Sequence, residues 1–317
     1  MNLSEERETC SSSRVPGGVC EGRVVVVTGA GRGIGRGHAL EFARQGAKVV
    51  VNDVGAELDG AGGSTGPAGE VVELIRSGGG EAIANGEDVA DWAGAERLVV
   101  AAVDADGRLD VVVTNAGIVR DRMVVTMGED EWDAVMRVHL KGTFATTHFA
   151  ALHWRERSKA GEQPAGRIIN TSSGAGLFGS VGQANYSAAK AGIATFTVVA
   201  AAELARYGAT VNAIAPSART RMTETTFAEM MAKPSDGFDR MAPDNVAPLV
   251  VWLGSEAAGD VTGRVFEVEG GVITVADGWR RGPSVDKGAR WEPADVGPAV
   301  ADLLAKAEPS VPVYGAS

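Results

Sequence analysis

Four consecutive β-branched residues, Val24-Val25-Val26-Val27, run straight into Thr28-Gly29-Ala30-Gly31-Arg32-Gly33-Ile34-Gly35, and helical apolar spacing follows from His38 to Gln45. A valine run without polar alternation fits a strand buried on both faces, so layers must pack on each side of its sheet. The glycines let the backbone turn sharply at the strand end and open a helix N-terminus, whose free N–H groups and positive dipole end suit a pyrophosphate. Gly46 stops the helix, and Lys48 to Asn52 supplies a second Val-rich strand. The unit is βαβ, with a right-handed crossover to a parallel neighbour.

The alternation continues along the chain. A glycine-rich loop from Gly60 to Gly69 leads to a helix from Glu70 to Ser77, a strand from Glu81 to Asn85 and a helix from Trp92 to Ala105. Leu109 to Thr114 reads as another buried Val strand, and Asp130 to His153 as one long helical stretch. A strand from Arg167 to Thr171, a long helix from Ala184 to Tyr207 and a strand from Thr210 to Ala215 follow. Asn245 to Leu253 is helical, and Val265 to Val268 makes the final strand. Strict alternation predicts the α/β class: a Rossmann-type, doubly wound parallel sheet of about seven strands flanked by helices.

The ends differ from this pattern. Residues 1–22 are rich in Ser, Glu and Gly without apolar periodicity and read as a flexible N-terminal tail. Residues 23–276 read as the domain, and 277–317, interrupted by Pro283, Pro293, Pro298, Pro309 and Pro312, as a C-terminal extension with one short helix from Ala294 to Ala307. Both cysteines, Cys10 and Cys20, fall in the tail, so no disulfide framework is expected and neither thiol reads as catalytic. With 317 residues the chain can bury a core without staples. A formal charge of −11 argues against nucleic acid or anionic membrane as partner. No apolar run reaches the ~18 residues of a membrane span, and the acidic start resembles no signal peptide, so a cytoplasmic location is expected.

Several residues fall where open α/β sheets bind ligands, at the carboxyl ends of strands. Asp53 closes the second strand, where a carboxylate accepts both hydroxyls of an adenosine ribose and repels a 2′-phosphate; this favours NAD over NADP. Arg32 pulls the other way, because a guanidinium in the glycine loop can hold a phosphate. Asp88-Val89 ends the third strand, where a short carboxylate can bond the adenine amino group, and Asn115-Ala116-Gly117 ends the fourth, where small residues let a cofactor lie on the strand ends. Each could be a plain turn alone; their joint placement is the signal.

Chemistry concentrates further along. Tyr186 and Lys190 stand four apart inside a helix, so the ammonium lies beside the phenol. A phenol titrates near pH ~10, too high for a base at neutrality, and a fixed cation should bring it down. Ser173 follows a strand end and can donate to a substrate oxygen. The alternative is a surface Tyr/Lys pair on an amphipathic helix. His139 stands in Arg137-Val138-His139-Leu140; His148 and His153 read as structural. No HExxH pair and no Cys/His cluster is present in the sequence, so no metal is expected.

Together these residues resemble the pattern of the short-chain dehydrogenase/reductase family: TGxxxGxG, NAG, Ser, then YxxxK, over roughly residues 22 to 275. Finer features resemble one branch, the (3R)-hydroxyacyl-CoA dehydrogenase unit of multifunctional enzyme type 2 of β-oxidation and its free-standing bacterial relatives. They include Val51-Asn52-Asp53 with its long glycine-rich loop, Ile118 to Arg122, Arg137 to Gly142, and Gly182 to Lys190. The resemblance implies an NAD-dependent oxidation of a 3-hydroxyacyl-CoA, some relatives acting on steroid side chains, by a homodimer or homotetramer. It implies Tyr186 as base, Lys190 on the ribose hydroxyls, Ser173 as orienting group and His139 where most of the family has Asn. It further implies cofactor contacts from Gly29, Gly31, Arg32, Gly33, Ile34, Gly35, Asp53, Asp88, Val89, Asn115, Ala116, Gly117, Tyr186, Lys190, Pro216 and Thr220. Pro216-Ser217 replaces the usual Pro-Gly, and Thr114 replaces the first Asn of Asn-Asn-Ala-Gly. The segment Met222 to Met241 reads as an apolar lid, and Arg219, Arg221, Arg280 and Arg281 as candidates for the coenzyme A phosphates. Rival readings are a 3-oxoacyl carrier-protein reductase, a hydroxysteroid dehydrogenase, and a nucleotide-binding scaffold without chemistry.

Overall fold

The computed structural model describes residues 13–56, 63, 66–221 and 231–315. Along the chain run β1 (Val24–Thr28), α1 (Gly33–Arg44), β2 (Lys48–Asn52), α2 (Gly66–Ser77), β3 (Glu81–Asn85), α3 (Trp92–Asp106), β4 (Val111–Thr114), α4 (Glu129–Met136) and α5 (Gly142–Lys159). Then come β5 (Arg167–Thr171), α6 (Gly174–Phe178), α7 (Ala184–Leu204), β6 (Thr210–Ser217), α8 (Ala247–Gly254), β7 (Val265–Glu269), β8 (Val272–Ala276) and α9 (Pro293–Lys306). The eight strands form one sheet in the order β3-β2-β1-β4-β5-β6-β7-β8. Seven run parallel, and β8 returns antiparallel beside β7.

The valine run explains the layering. In β1, Val26 pairs with Val50 on one side and Val112 on the other. Successive side chains point to opposite faces. Val25 and Val27 therefore join Phe42 of α1 and Leu253 of α8 in one core. Val24 and Val26 join Leu98 of α3, Trp154 of α5 and Leu204 of α7 in the other. A doubly wound sheet of the Rossmann type results, as the alternation predicts.

A buried polar chain ties the centre of the sheet to α7. The Thr114 hydroxyl donates to Asn170 Oδ1 at 2.8 Å, and Asn170 Nδ2 donates to the Thr197 hydroxyl at 2.9 Å. Thr197 in turn donates to the Ile193 carbonyl at 2.8 Å. Thr114 is thus a link in the brace that sets α7 against β4 and β5. By length and composition, the helical stretch Ala184–Tyr207 is the one among the described residues that could cross a membrane. Here it packs on β5 and β6, with Ile193, Thr197 and Leu204 on its buried face.

Four expectations need correction. The sheet has an eighth strand: Gly270-Gly271 makes a two-residue hairpin, and Glu269 faces Val272 across it. Val272, Ile273 and Val275 are exposed on this edge, so no core periodicity marks the strand. The long helix from Asp130 is broken by a π-turn, Arg137–Lys141, in which the Gly142 N–H reaches back to the Arg137 carbonyl. The tail does not extend to 22: Cys20 is fully buried against α8, its thiol directed at the Val251 carbonyl at 3.4 Å, and burial pushes that thiol up to about 12. Cys10 lies outside the described residues. Finally, α2 begins at Gly66, four residues before the expected start, with Pro67 in its first turn, where a fixed φ and a missing N–H cost nothing.

His38, on α1, is fully buried, and neither ring nitrogen has a hydrogen-bond partner among the described residues. Burial lowers it from 6.5 to about 3. The unfolded chain therefore binds more protons between those values, and stability falls as pH drops through 6.5 toward 3. At about pH 5 the His38 contribution comes to about 2 kcal/mol. His38→Leu should remove it, and urea unfolding of parent and variant at pH 7 and pH 5 reads the difference; equal pH sensitivity in both proteins would contradict the assignment.

Candidate active site

Strand order reverses where β1 lies between β2 and β4, and the two crossovers leave on opposite faces there. A crevice opens at the carboxyl ends of these strands for that reason. It is a cavity of about 940 Å³, lined at one end by the β1–α1 glycine loop and Asp53, and at the other by Ser173, Tyr186 and Lys190.

The glycine loop is a cradle in which side chains do not fit. Gly29 and Gly33 have φ of +61° and +53°, the left-handed region that favours glycine. A Cβ on Gly35 would stand 2.1 Å from the Gly29 carbonyl oxygen and 2.5 Å from Asn115 Nδ2. Asn115 braces the loop: its amide donates to the Thr28 and Gly29 carbonyls, each at 3.1 Å. The Thr28 hydroxyl accepts the N–H groups of Asn115 and Ala116 at 2.9 and 3.1 Å. Asn115 lines the cavity, but the structure gives its amide this second, structural duty.

Asp53 is aimed at the same loop. Its Oδ2 accepts the Gly31 N–H at 2.8 Å and its Oδ1 the Gly55 N–H at 2.7 Å. Arg32 stands exposed at the N-cap of α1, with Gly33 and Ile34 beside it on the cavity wall. Asp88 accepts the Ala90 N–H at 2.9 Å and pairs with Arg137 at 3.0 Å. Val89 is buried below it, and Gly117, Pro216 and Thr220 complete this wall. A long, glycine-floored groove with a fixed carboxylate at one end fits a dinucleotide.

At the opposite end, β5 and α7 deliver the polar side chains. Ser173 caps α6, its hydroxyl accepting the Ala175 N–H at 3.2 Å. It also hydrogen-bonds the Tyr186 side chain. Lys190, one turn on, is buried with its ammonium 5.5 Å from the centre of the Tyr186 ring, donating to the Thr171 carbonyl at 2.6 Å. Glycine permits the approach: a Cβ on Gly176 would lie 2.6 Å from Lys190 Cβ. Burial pulls Lys190 down to about 7. Burial also pushes Tyr186 above its ordinary range, the Ser173 bond opposing this and the Asp121 carboxylate adding to it. The expected acidification by Lys190 does not appear in the protein alone: burial disfavours the phenolate and the phenol is raised instead.

His139 sits in the π-turn, fully buried, edge-on to Tyr186 with ring centroids 5.2 Å apart. Its Nε2 lies 3.1 Å from the Ile118 N–H, and 2.8 Å from the Ile118 carbonyl. Burial and the Lys190 charge hold the imidazole at about 3, hence neutral. A Cβ on Gly117 would lie 2.3 Å from its Cε1, so the glycine of Asn115-Ala116-Gly117 is there to admit the ring. A single π-turn of this kind is a recurrent feature of functional sites.

The residues missed by sequence reasoning hold these groups in place. Gln183 donates to Asp121 at 2.9 Å, and Asn185 Nδ2 donates to the Arg120 and Glu131 carbonyls at 3.0 and 3.1 Å, tying the loop after β4 to the start of α7. The motif around Tyr186 contains both, but nothing in the spacing says what they hold. Met231 and Met241 of the expected lid are buried; Met222 and Met230 lie outside the described residues. Arg219 is not open to a phosphate, since it is paired with Asp239 and donates to the Met231 carbonyl at 2.9 Å. Arg221 lines the cavity, whereas Arg280, paired with Asp277, and Arg281 lie exposed beyond β8.

The family model for short chain dehydrogenases matches residues 23–231. A hydroxyacyl-CoA dehydrogenase of Mycobacterium tuberculosis is 44% identical over 296 residues, covering 91% of this chain and 90% of that protein. Peroxisomal multifunctional enzyme type 2 of Mus musculus is 44% identical over 259 residues, 82% of this chain but 32% of that longer protein. A crystal structure of a short chain dehydrogenase from Mycobacterium avium superposes with a TM-score of 0.86 at 63% identity, covering 94% of this chain and all of that one.

Gly35→Ala tests the cradle. Its methyl group would press on the Gly29 carbonyl and the Asn115 amide, neither of which can give way without undoing the brace. The variant should lose about 1–3 kcal/mol in thermal or urea unfolding, and its affinity for a nicotinamide dinucleotide should fall at least about tenfold. Unchanged affinity would show that the loop does not carry the pyrophosphate.

Proposed function

The chain belongs to the short chain dehydrogenase family, and we propose that within it the protein is an NAD-dependent 3-hydroxyacyl-CoA dehydrogenase that oxidises the hydroxyl to the 3-oxo group. The observation that carries this reading is the meeting of Ser173, Tyr186 and Lys190 at the end of a groove whose other end holds Asp53 and the glycine loop. Similarity to a hydroxyacyl-CoA dehydrogenase over nine-tenths of both chains supports the substrate class.

In this reading Gly29, Gly31, Arg32, Gly33 and Ile34 hold the pyrophosphate, and Asp53 the adenosine ribose. Asp88 and Val89 hold the adenine, and Lys190 the second ribose. When bound, the nicotinamide supplies the acceptor for the hydride. The protein supplies position and proton transfer. Ser173 donates to the substrate oxygen, and Tyr186, in its ionised form, takes the hydroxyl proton. His139, neutral and buried, positions the Ile118 backbone beside Tyr186. Phe144, Val198 and Val199, outward-facing on α5 and α7, support a homo-oligomer joined through these helices. A cytoplasmic location is part of the same proposal.

Three measurements test it. Tyr186→Phe should lower turnover about 10³-fold while the dissociation constant for NAD stays within about threefold; full activity would remove the proposed base. Because burial raises Tyr186, the phenol keeps its proton at neutrality, so oxidation, which needs the phenolate, should accelerate from pH 7 to 9, while reduction of the 3-oxo ester, which needs the phenol, should change little over the same range. A flat oxidation profile would count against Tyr186 as the titrating group. Asp53→Ser should raise the preference for NADP over NAD at least about tenfold by removing the charge that faces a 2′-phosphate.

A further inference from the structure

Beyond β8 the chain is largely exposed, and α9 buries none of its side chains. Near its end it comes back to the catalytic face. The Tyr314 N–H donates to the Gly179 carbonyl at 3.2 Å, and the Val181 N–H donates to the Tyr314 carbonyl at 2.9 Å. These bonds make a short parallel bridge between Tyr314 and Ser180, in the loop joining α6 to α7. That loop runs from the helix capped by Ser173 to the helix carrying Tyr186, so the strap rests on the connection between two groups assigned to the chemistry.

Side chains fix the strap as well as backbone. The Tyr314 ring lies edge-on to Phe178, centroids 6.1 Å apart at 88°. Its hydroxyl reaches within 3.0 Å of where a Cβ on Gly174, the residue after Ser173, would stand. Val313 fills the equivalent space over Gly179 at 3.3 Å. Two glycines thus leave room for this segment. Tyr314 and Gly315 line the same cavity as Ser173, Gln183 and Tyr186. Burial and the Glu267 and Glu269 carboxylates keep the Tyr314 phenol above its ordinary range, so it stays neutral and acts as wall rather than base.

We infer that Tyr314 is a specificity-determining residue: its ring, strapped over Gly174 and Phe178, closes the substrate side of the cavity and limits the bulk of the group next to the carbinol. The inference rests on the substrate end assigned above. It predicts that this chain discriminates between short and bulky acyl groups through a residue far outside the 23–231 segment common to the family.

Full-length Tyr314→Ala and Tyr314→Phe are compared with the parent on 3-hydroxybutyryl-CoA and on a 3-hydroxyacyl-CoA carrying a steroid side chain. In the Ala variant the ratio of kcat/KM, bulky over short, should rise at least about tenfold, while in the Phe variant it stays within about twofold of the parent. A ratio unchanged in Ala, or shifted as far in Phe as in Ala, overturns the inference. Retained NAD affinity shows that each variant is folded. If the parent turns over no coenzyme A ester, the functional reading fails instead. The wall is then read by equilibrium titration with naphthol and a hydroxysteroid, where Tyr314→Ala should tighten the steroid relative to naphthol about tenfold and no change overturns it.

Discussion

Burial of β1 on every side governs this molecule. Its neighbours are strands on both edges, and helices cover both faces, so each of its four valines is removed from water. At roughly 25 cal/mol per Å² of apolar surface, a strand in that position is worth far more than any surface contact of the fold. It also dictates where the chain can be irregular. The only exit from a strand enclosed in this way is along its axis, and the turn that follows must pass over the ends of its neighbours. The glycine loop lies there, and Asn115 from β4 clasps it. The binding groove is thus a by-product of how the core is closed.

The same enclosure governs the electrostatics at the other end. Lys190 is buried and hydrogen-bonded to a single backbone carbonyl, and it is drawn down to about 7. Tyr186 moves upward for the same reason. Desolvation raises an acid and lowers a base, so the two, nearly matched in water, move apart and the neutral phenol is favoured. Neutral His139 adds no competing charge.

Much of the fold was legible because its central strands, β1, β2 and β4, are buried on both faces and so are built largely of Val. β1, β2, β3 and β5 fall at the expected residues, and α7 and α9 nearly so. The misreadings have a common cause, which is that burial was hidden from local pattern. β8 faces outward and lacks alternation, although Gly270-Gly271 between β-branched residues is a hairpin signal. Cys20 sits in a polar stretch whose one apolar anchor is the cysteine itself. The π-turn at His139 leaves no trace in spacing, since one added residue per turn barely disturbs helical periodicity.

For the site, the sequence by itself determined which groups exist and on which elements they ride: a glycine turn after the first strand, a carboxylate after the second, and a phenol and an amine one turn apart on a helix. Those facts are local, because they depend on spacing within single segments. Tertiary structure alone decided that the phenol is raised rather than lowered, that Asn115 braces the loop, that Arg219 is already engaged, and that the far C-terminal Tyr314 borders the cavity beside Ser173. Each of those depends on desolvation or on contacts between residues distant along the chain, and neither is written in the order of neighbouring residues.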